Sequence, residues 1–285
     1  MAEISRKKPL VLLTINGWGV ASTIENNAIR KADVSDFKNL VANYPSTVIS
    51  PCFDSLSSNY EVLGSGRKDQ LDFIIRNSVS KILDNSGLSQ IKIADSENFP
   101  LLSVFFNNQE ERFVNEEWKI VREKDDFWRL FFSSDERITH KTINAIKSTK
   151  YDFIFCNLSE IGNFALEGKF EQTILKTEKT SIALRKISQA VLEEDGVLII
   201  LGSFGAAEDV FNVNTKIANL KKTNNPVPLI IIGSDFQGKT IGLEEAPNND
   251  LSLIKSQGDF SDIAPTILKI MGFDIPAEMT GESFI

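Results

Sequence analysis

Short, nearly unbroken apolar runs alternate with longer helical patterns along this chain, and that alternation restricts the fold more than any other feature. The clearest runs are Leu10–Ile15, Thr47–Ser50, Tyr151–Cys156, Val197–Leu201 and Leu229–Ile232. Strands apolar on both faces must be covered on both faces, which points to a largely parallel sheet between helical layers. Helical periodicity occupies Ser35–Asn43, Asp69–Leu83, Thr139–Ser148, Phe170–Glu194 and Asp262–Met271. In the longest of these, Ile174, Ile182, Leu184, Ile187 and Val191 are expected to form one buried stripe. Gly196 follows Glu193-Glu194-Asp195 as the expected helix stop. No Pro/Gly-rich linker or internal repeat divides the chain, so a single domain over residues 1–285 is expected.

The 31 basic and 39 acidic groups give a formal charge of −8, which argues against nucleic acid as a partner. The only cysteines, Cys52 and Cys156, are too few for a disulfide framework and are not spaced like a zinc site. Cys156, within an apolar run, reads as a small core residue. The run after Met1 is too brief for a signal peptide, and no stretch approaches the ~18 apolar residues of a membrane span. A cytoplasmic location is the expectation. The middle, Phe105 to Phe132, crowds aromatic rings among charges. It reads first as an aromatic-rich subcore; Trp118, Phe127 and Trp128 form the candidate surface for a protein partner.

The segment Pro9 to Gly19 is an apolar strand ending in the tight turn Asn16-Gly17-Trp18-Gly19. Further on come Asn26-Asn-Ala-Ile29, Ile91-Lys-Ile-Ala-Asp-Ser-Glu-Asn98, Phe105-Phe-Asn-Asn108, Gly168-Lys-Phe-Glu171, Asn225-Pro-Val-Pro228 and Asp262-Ile-Ala-Pro-Thr266 through Ala277-Glu-Met-Thr-Gly281. In their shared order these motifs resemble the cofactor-independent phosphoglycerate mutases of the alkaline-phosphatase-like superfamily. The resemblance implies an α/β three-layer sandwich with a mostly parallel central sheet and helices on both faces. It also implies a second, phosphoglycerate-binding domain inserted into the first. Here the helix ending near Leu83 runs almost directly into the strand at Ile91, so that domain is expected to be deleted at residues 84–90.

Family chemistry needs two divalent cations held by carboxylates and imidazoles, and a serine nucleophile. By the resemblance, a first ligand Asp falls on Asn16, and an Asp-His pair on Gly162 and Leu166. A second Asp-His pair falls on Ser203 and Phe204, and a last His on Lys222. The nucleophile position is Tyr60, and a lysine that contacts the phosphoryl group falls on Asn98. Neutral amides, glycine and hydrocarbon make poor or no ligands for a hard cation. The single histidine of the chain, His140, is placed at a helix start, remote from these motifs. Asp152, Asp209 and Asp262 show no metal-loop spacing; Asp152 reads as strand and Asp262 as a helix N-cap. Gly17, Gly19, Gly64, Gly66 and Gly168 read as turn residues.

No cofactor and no metal are therefore expected. The reading is a catalytically inactive derivative that serves as a structural or binding subunit, in a larger assembly or beside an active relative. Two alternatives stand beside it. One is a metal-independent or altered phosphatase or phosphotransferase acting through Tyr60. The other is a sensor of a phosphorylated small molecule in the old crevice lined by Asn16, Tyr60, Ser203, Phe204 and Lys222.

Overall fold

The computed structural model describes residues 8–52, 56–67, 78–107, 112–122 and 132–285. Seven strands form one sheet in the order β2-β7-β6-β1-β5-β3-β4. They are β1 (Leu10–Gly17), β2 (Ser46–Ile49), β3 (Gln90–Asp95), β4 (Glu116–Val121), β5 (Phe153–Leu158), β6 (Val197–Gly205) and β7 (Val227–Ile232). β1 lies parallel to β5 and β6, and β3 parallel to β4 and β5, whereas β7 runs antiparallel to both β6 and β2. The helices are α1 (Ala28–Lys31), α2 (Ser35–Asn43), α3 (Leu56–Ser65), α4 (Val79–Asn85), α5 (Ser134–Lys147), α6 (Glu160–Leu166), α7 (Phe170–Glu193) and α8 (Ile263–Ile270).

Every residue of β1 is buried, because its alternate side chains serve two separate cores. Val11, Leu13 and Ile15 pack with Phe37 of α2, Ile138 of α5 and Leu184 of α7. Leu10 and Leu12 face the opposite way, toward Leu63 of α3, Leu83 of α4 and Ile267 of α8. This is the expected three-layer α/β sandwich, and none of the described helices is long and apolar enough to cross a membrane.

Local chemistry moves several expected boundaries. The helix expected to begin at Thr139 starts at Ser134, where Ser133 and Glu136 form a reciprocal capping box. His140 is therefore a mid-helix residue, its ring edge-on to Phe132 at 6.0 Å. On α7 the stripe of Leu184, Ile187 and Val191 is fully buried, but Ile182 is 43% exposed. Two residues before Leu184 is about 200° around the helix, so Ile182 cannot share its face. Thr173, Thr177, Thr180 and Ser181 are buried in its place. At the α7 C-terminus, Asp195 rather than Gly196 takes the left-handed conformation, at φ 52°. Gly64 lies inside α3, and Gly19 has no positive φ. A β-carbon at Gly19 would instead collide with the carboxyl of the buried Glu208. The residue that caps the turn entering α8 is Asp259, which accepts from Ser261 N at 2.9 Å, while Asp262 closes its capping box. Asp152 sits just before β5. Of the expected helix Asp69–Leu83, the described end is α4; the remainder lies outside the described residues.

Between α4 and β3 the join is short and well bonded. Leu88 N–H donates to Leu83 O and Gly87 N–H to Asp84 O, both at 2.9 Å, with Gly87 at φ +71°. That geometry is the glycine-terminated end of a helix. Beyond it, Ser89 donates through N–H and Oγ to one oxygen of Asp152, at 3.0 and 2.9 Å.

At the β3–β4 edge, one charged cluster is kept in the interior. Lys92 and Glu116 are both fully buried at the side chain and stand 3.1 Å apart. Asn107 accepts from Lys92 and donates to Glu116 at 3.1 Å, and Trp118 donates its indole N–H to Glu116. Trp118 also meets Phe99 edge-on at 5.2 Å, so this member of the candidate partner surface is half-buried against the core. Phe127 and Trp128 lie outside the described residues.

Candidate functional site

The C-terminal ends of β1, β5 and β6 meet where ligands usually bind in open α/β sheets. Six side chains converge there. β1 supplies Thr14 and Asn16, β5 supplies Asn157, and β6 supplies Ser203. Tyr60 enters from α3 and Asn98 from the loop after β3. The β1–β6 register shifts between Ile15 and Asn16: Ile15 pairs with Gly202 and Asn16 with Phe204. Ser203 is thus the extra residue of a bulge, a device that re-aims side chains at sheet ends.

Their hydrogen bonds form one neutral network. Ser203 Oγ donates to Asn16 Oδ1 at 2.5 Å, and Asn157 Nδ2 donates to the same oxygen at 2.9 Å. Asn16 Nδ2 donates to Asn98 Oδ1 at 2.8 Å. Tyr60 OH donates to Thr14 Oγ1 at 2.9 Å, and Asn157 Nδ2 lies 3.2 Å from the tyrosine oxygen. Asn16 is 2% exposed and Tyr60 is fully buried. Burial pushes the Tyr60 hydroxyl up to about 12, despite its partners Thr14, Ser203 and Asn157. A protonated, enclosed phenol of this kind has no line of approach to phosphorus.

The remaining expected positions close the site. A β-carbon on Gly162 would stand 3.0 Å from the Asn16 backbone carbon, from Asn16 Cβ and from Phe204 Cζ. The space an aspartate would need at 162 is taken by β1 and by the Phe204 ring. Phe204 is buried, with Lys222 Nζ 4.8 Å above its ring centroid. Desolvation draws the Lys222 pKa below the usual lysine range. Leu166, a turn further along α6, packs against the first core. So Asn16, Tyr60, Gly162, Ser203, Phe204 and Asn98 lie together at this end of the sheet, with Lys222 over the rim.

Thr14, Asn157 and a flanking acidic group were not anticipated. Asp95 accepts from Ser159 Oγ at 2.6 Å and from Asn98 Nδ2 at 3.0 Å. Asp135 accepts from the N–H groups of Ser159 and Glu160, at 2.9 and 3.1 Å, at the start of α6. Burial, reinforced by the neighbouring Glu160, pushes Asp135 up to about 8. Thr14 and Asn157 did leave a signal: each is a lone polar residue in an apolar run, and a buried polar side chain needs a partner.

The donor set does not fit a divalent cation. The inner positions offer only neutral amide and hydroxyl oxygens, most of them engaged with one another and Asn157 Oδ1 alone among them buried without a partner, and Gly162, Leu166 and Phe204 offer none. Among the described residues no three His, Cys, Asp or Glu side chains are grouped to hold a metal ion. Asp209 bonds Asn26, Asp152 bonds Ser89 and Asp262 bonds Asp259 N, so these carboxylates serve turns and joins.

Known proteins resemble this chain in sequence and in fold. The 2,3-bisphosphoglycerate-independent phosphoglycerate mutase of Vibrio atlanticus (strain LGP32) is 32% identical over 214 residues, covering 74% of this chain and 39% of the relative. The chain thus spans about two fifths of the length of the curated relatives it matches. Among solved structures, Leishmania mexicana phosphoglycerate mutase at low cobalt concentration superposes with a TM-score of 0.57 at 19% identity, over 73% of this chain and 39% of that one. The alkaline phosphatase of the Antarctic bacterium TAB5 gives 0.57 at 11% identity, over 95% of this chain and 99% of that one. These two likenesses establish the fold. The family model of the Metalloenzyme superfamily matches residues 8–275, nearly the whole chain, and to that superfamily the chain belongs.

Proposed function

We propose that this protein is a phosphoglycerate-mutase-like pseudoenzyme, one that has given up metal-dependent phosphoryl transfer and serves as a structural or binding subunit through protein–protein contacts. One observation carries the reading. At the positions where the resemblance places cation ligands, Asn16 and Ser203 are tied into a network of neutral amides and hydroxyls, and Gly162, Leu166, Phe204 and Lys222 supply neither carboxylate nor imidazole. Replacing an entire set of buried charges removes the repulsion that only bound cations would offset, and such a change stabilises the unliganded fold. The tight α4–β3 join supports deletion of the inserted phosphoglycerate-binding domain at residues 84–90, leaving one continuous domain. A cytoplasmic setting is part of the same reading, as is a protein partner in a larger assembly or an active relative.

Metal analysis of the purified protein, paired with phosphatase and mutase assays in added manganese, magnesium and zinc, tests the negative half. The expected outcome is sub-stoichiometric metal and no turnover. Stoichiometric metal together with phosphoester turnover would overturn it. Affinity capture from the native cell tests the positive half, the expected result being one protein retained at stoichiometric yield.

A further inference from the structure

Between α5 and α7 lies a cavity of about 310 Å³ whose lining contains none of the degenerate ligand positions. Its walls combine two properties that folding does not require. The first is apolar surface left facing outward. Phe132 is 39% exposed and Ile182 43%, and both line this cavity with Ile143. Ile182 is the residue that falls off the buried stripe of α7, so its hydrocarbon contributes to neither core. Phe132 stands edge-on to His140, giving that wall an aromatic surface.

The second property is a lysine without a carboxylate partner. Lys176, Lys179 and Lys186 line the cavity with three acids, Asp135, Glu136 and Glu160. Lys176 is held by Glu160 at 2.9 Å and Lys179 by Glu136 at 3.2 Å. Lys186 pairs with no carboxylate among the described residues. Asp135, the remaining acid of the lining, is held by the backbone N–H groups of Ser159 and Glu160 at 2.9 and 3.1 Å and by no lysine. One ammonium is left without a paired carboxylate beside an apolar, partly aromatic wall. A single unpaired ammonium matches a monoanion better than a doubly charged phosphate. The volume sits at the small end of ligand pockets, about 300–1,000 Å³.

We propose that this cavity is a binding site for a small monocarboxylate with an aromatic body, the carboxylate directed to Lys186 and the ring held between Phe132 and Ile182. The site is independent of the loss of catalysis, and its test neither needs nor measures turnover. Amide NMR of the intact chain would be titrated with 3-phenylpropionate, 3-phenylpropanol and 3-phenylpropylammonium. The expected result is saturable shifts confined to residues near Phe132–Ile143 and Ile182–Lys186, with a Kd on the order of 1 mM for the carboxylate. The alcohol should bind about tenfold more weakly and the ammonium not at all, the loss of one charged hydrogen bond. Lys186→Glu and Ile182→Gln, both at exposed positions, should each weaken 3-phenylpropionate about tenfold while melting as the parent does. Lys255→Glu, outside the lining, should leave the affinity unchanged. Unsaturable shifts, equal binding of the alcohol, or full affinity in Lys186→Glu would each overturn the proposal.

Discussion

Two buried polar clusters in this protein handle charge in opposite ways. At the ends of β1, β5 and β6, Asn16, Asn157, Ser203, Thr14 and Tyr60 bond to one another without an ionised group. At the β3–β4 edge, Lys92 and Glu116 remain charged partners in full burial, with Asn107 and Trp118 filling the remaining hydrogen-bonding capacity. The contrast shows that burial does not by itself exclude charge. A buried ion persists where its counter-ion belongs to the same chain. Where the counter-ion would have to come from solution, the inner shell is neutral.

Breaking the ionic cluster should have the largest effect. Lys92→Met leaves Glu116 buried without its cation and should cost about 3–5 kcal/mol in denaturant unfolding. Lys92→Met with Glu116→Leu should recover most of that loss, because removing both partners together is far cheaper than removing one. If the double variant is no better than the single, the explanation by pairing fails.

The reverse operation on the neutral cluster should come next. Asn16→Asp returns a carboxylate to a 2%-exposed position and turns its bond with Asn98 Oδ1 into an oxygen–oxygen contact. A loss on the order of 2–3 kcal/mol is expected. Adding zinc or manganese should not restore the melting temperature, because no neighbouring side chain completes a ligand set. Metal-dependent recovery would show that the site still grips cations. A smaller change, Tyr60→Phe, removes the hydroxyl bond to Thr14 and should cost about 1 kcal/mol, read from the denaturation midpoint.

The same contrast should also appear as a pair of opposed pH slopes. Folding raises Asp135 from 3.8 to about 8, chiefly through burial and then Glu160. The folded protein then holds a proton that the unfolded chain releases, so this group's contribution to stability falls as pH rises from about 4 to 8. Burial lowers Lys92 from 10.5 to about 8 against the pull of Glu116. Here the unfolded chain holds the extra proton, so stability rises as pH climbs from about 8 toward 10.5. Unfolding free energies measured across this range should lose the acid-side slope in Asp135→Asn and the alkaline slope in Lys92→Met.

Much of this was legible in the sequence, for a physical reason. The apolar runs of β1, β5, β6 and β7 are long enough to need cover on both faces, which dictates the layered α/β architecture. That the chain holds a single histidine, His140, is a matter of inventory, which needs no coordinates. Strand β4 was not legible: Glu-Glu-Trp-Lys-Ile-Val neither alternates nor runs apolar, because its Glu116 is buried by an ion pair formed with another strand. Asn157 stood out as a lone polar residue, but its partners Thr14, Asn16 and Tyr60 were hidden because they are distant in sequence. Ile182 could have been excluded from the sequence alone, since two residues before Leu184 it falls about 200° around the helix.

The contact between Gly162 and Phe204 works as a ratchet. An aspartate could enter position 162 only with the phenylalanine trimmed and Asn16 shifted, and trimming the ring alone would open a hollow costing about 3–5 kcal/mol. Each of the two changes is harmful until the other has been made. On that footing, selection acting one substitution at a time would find an acidic residue at 162 hard to reach.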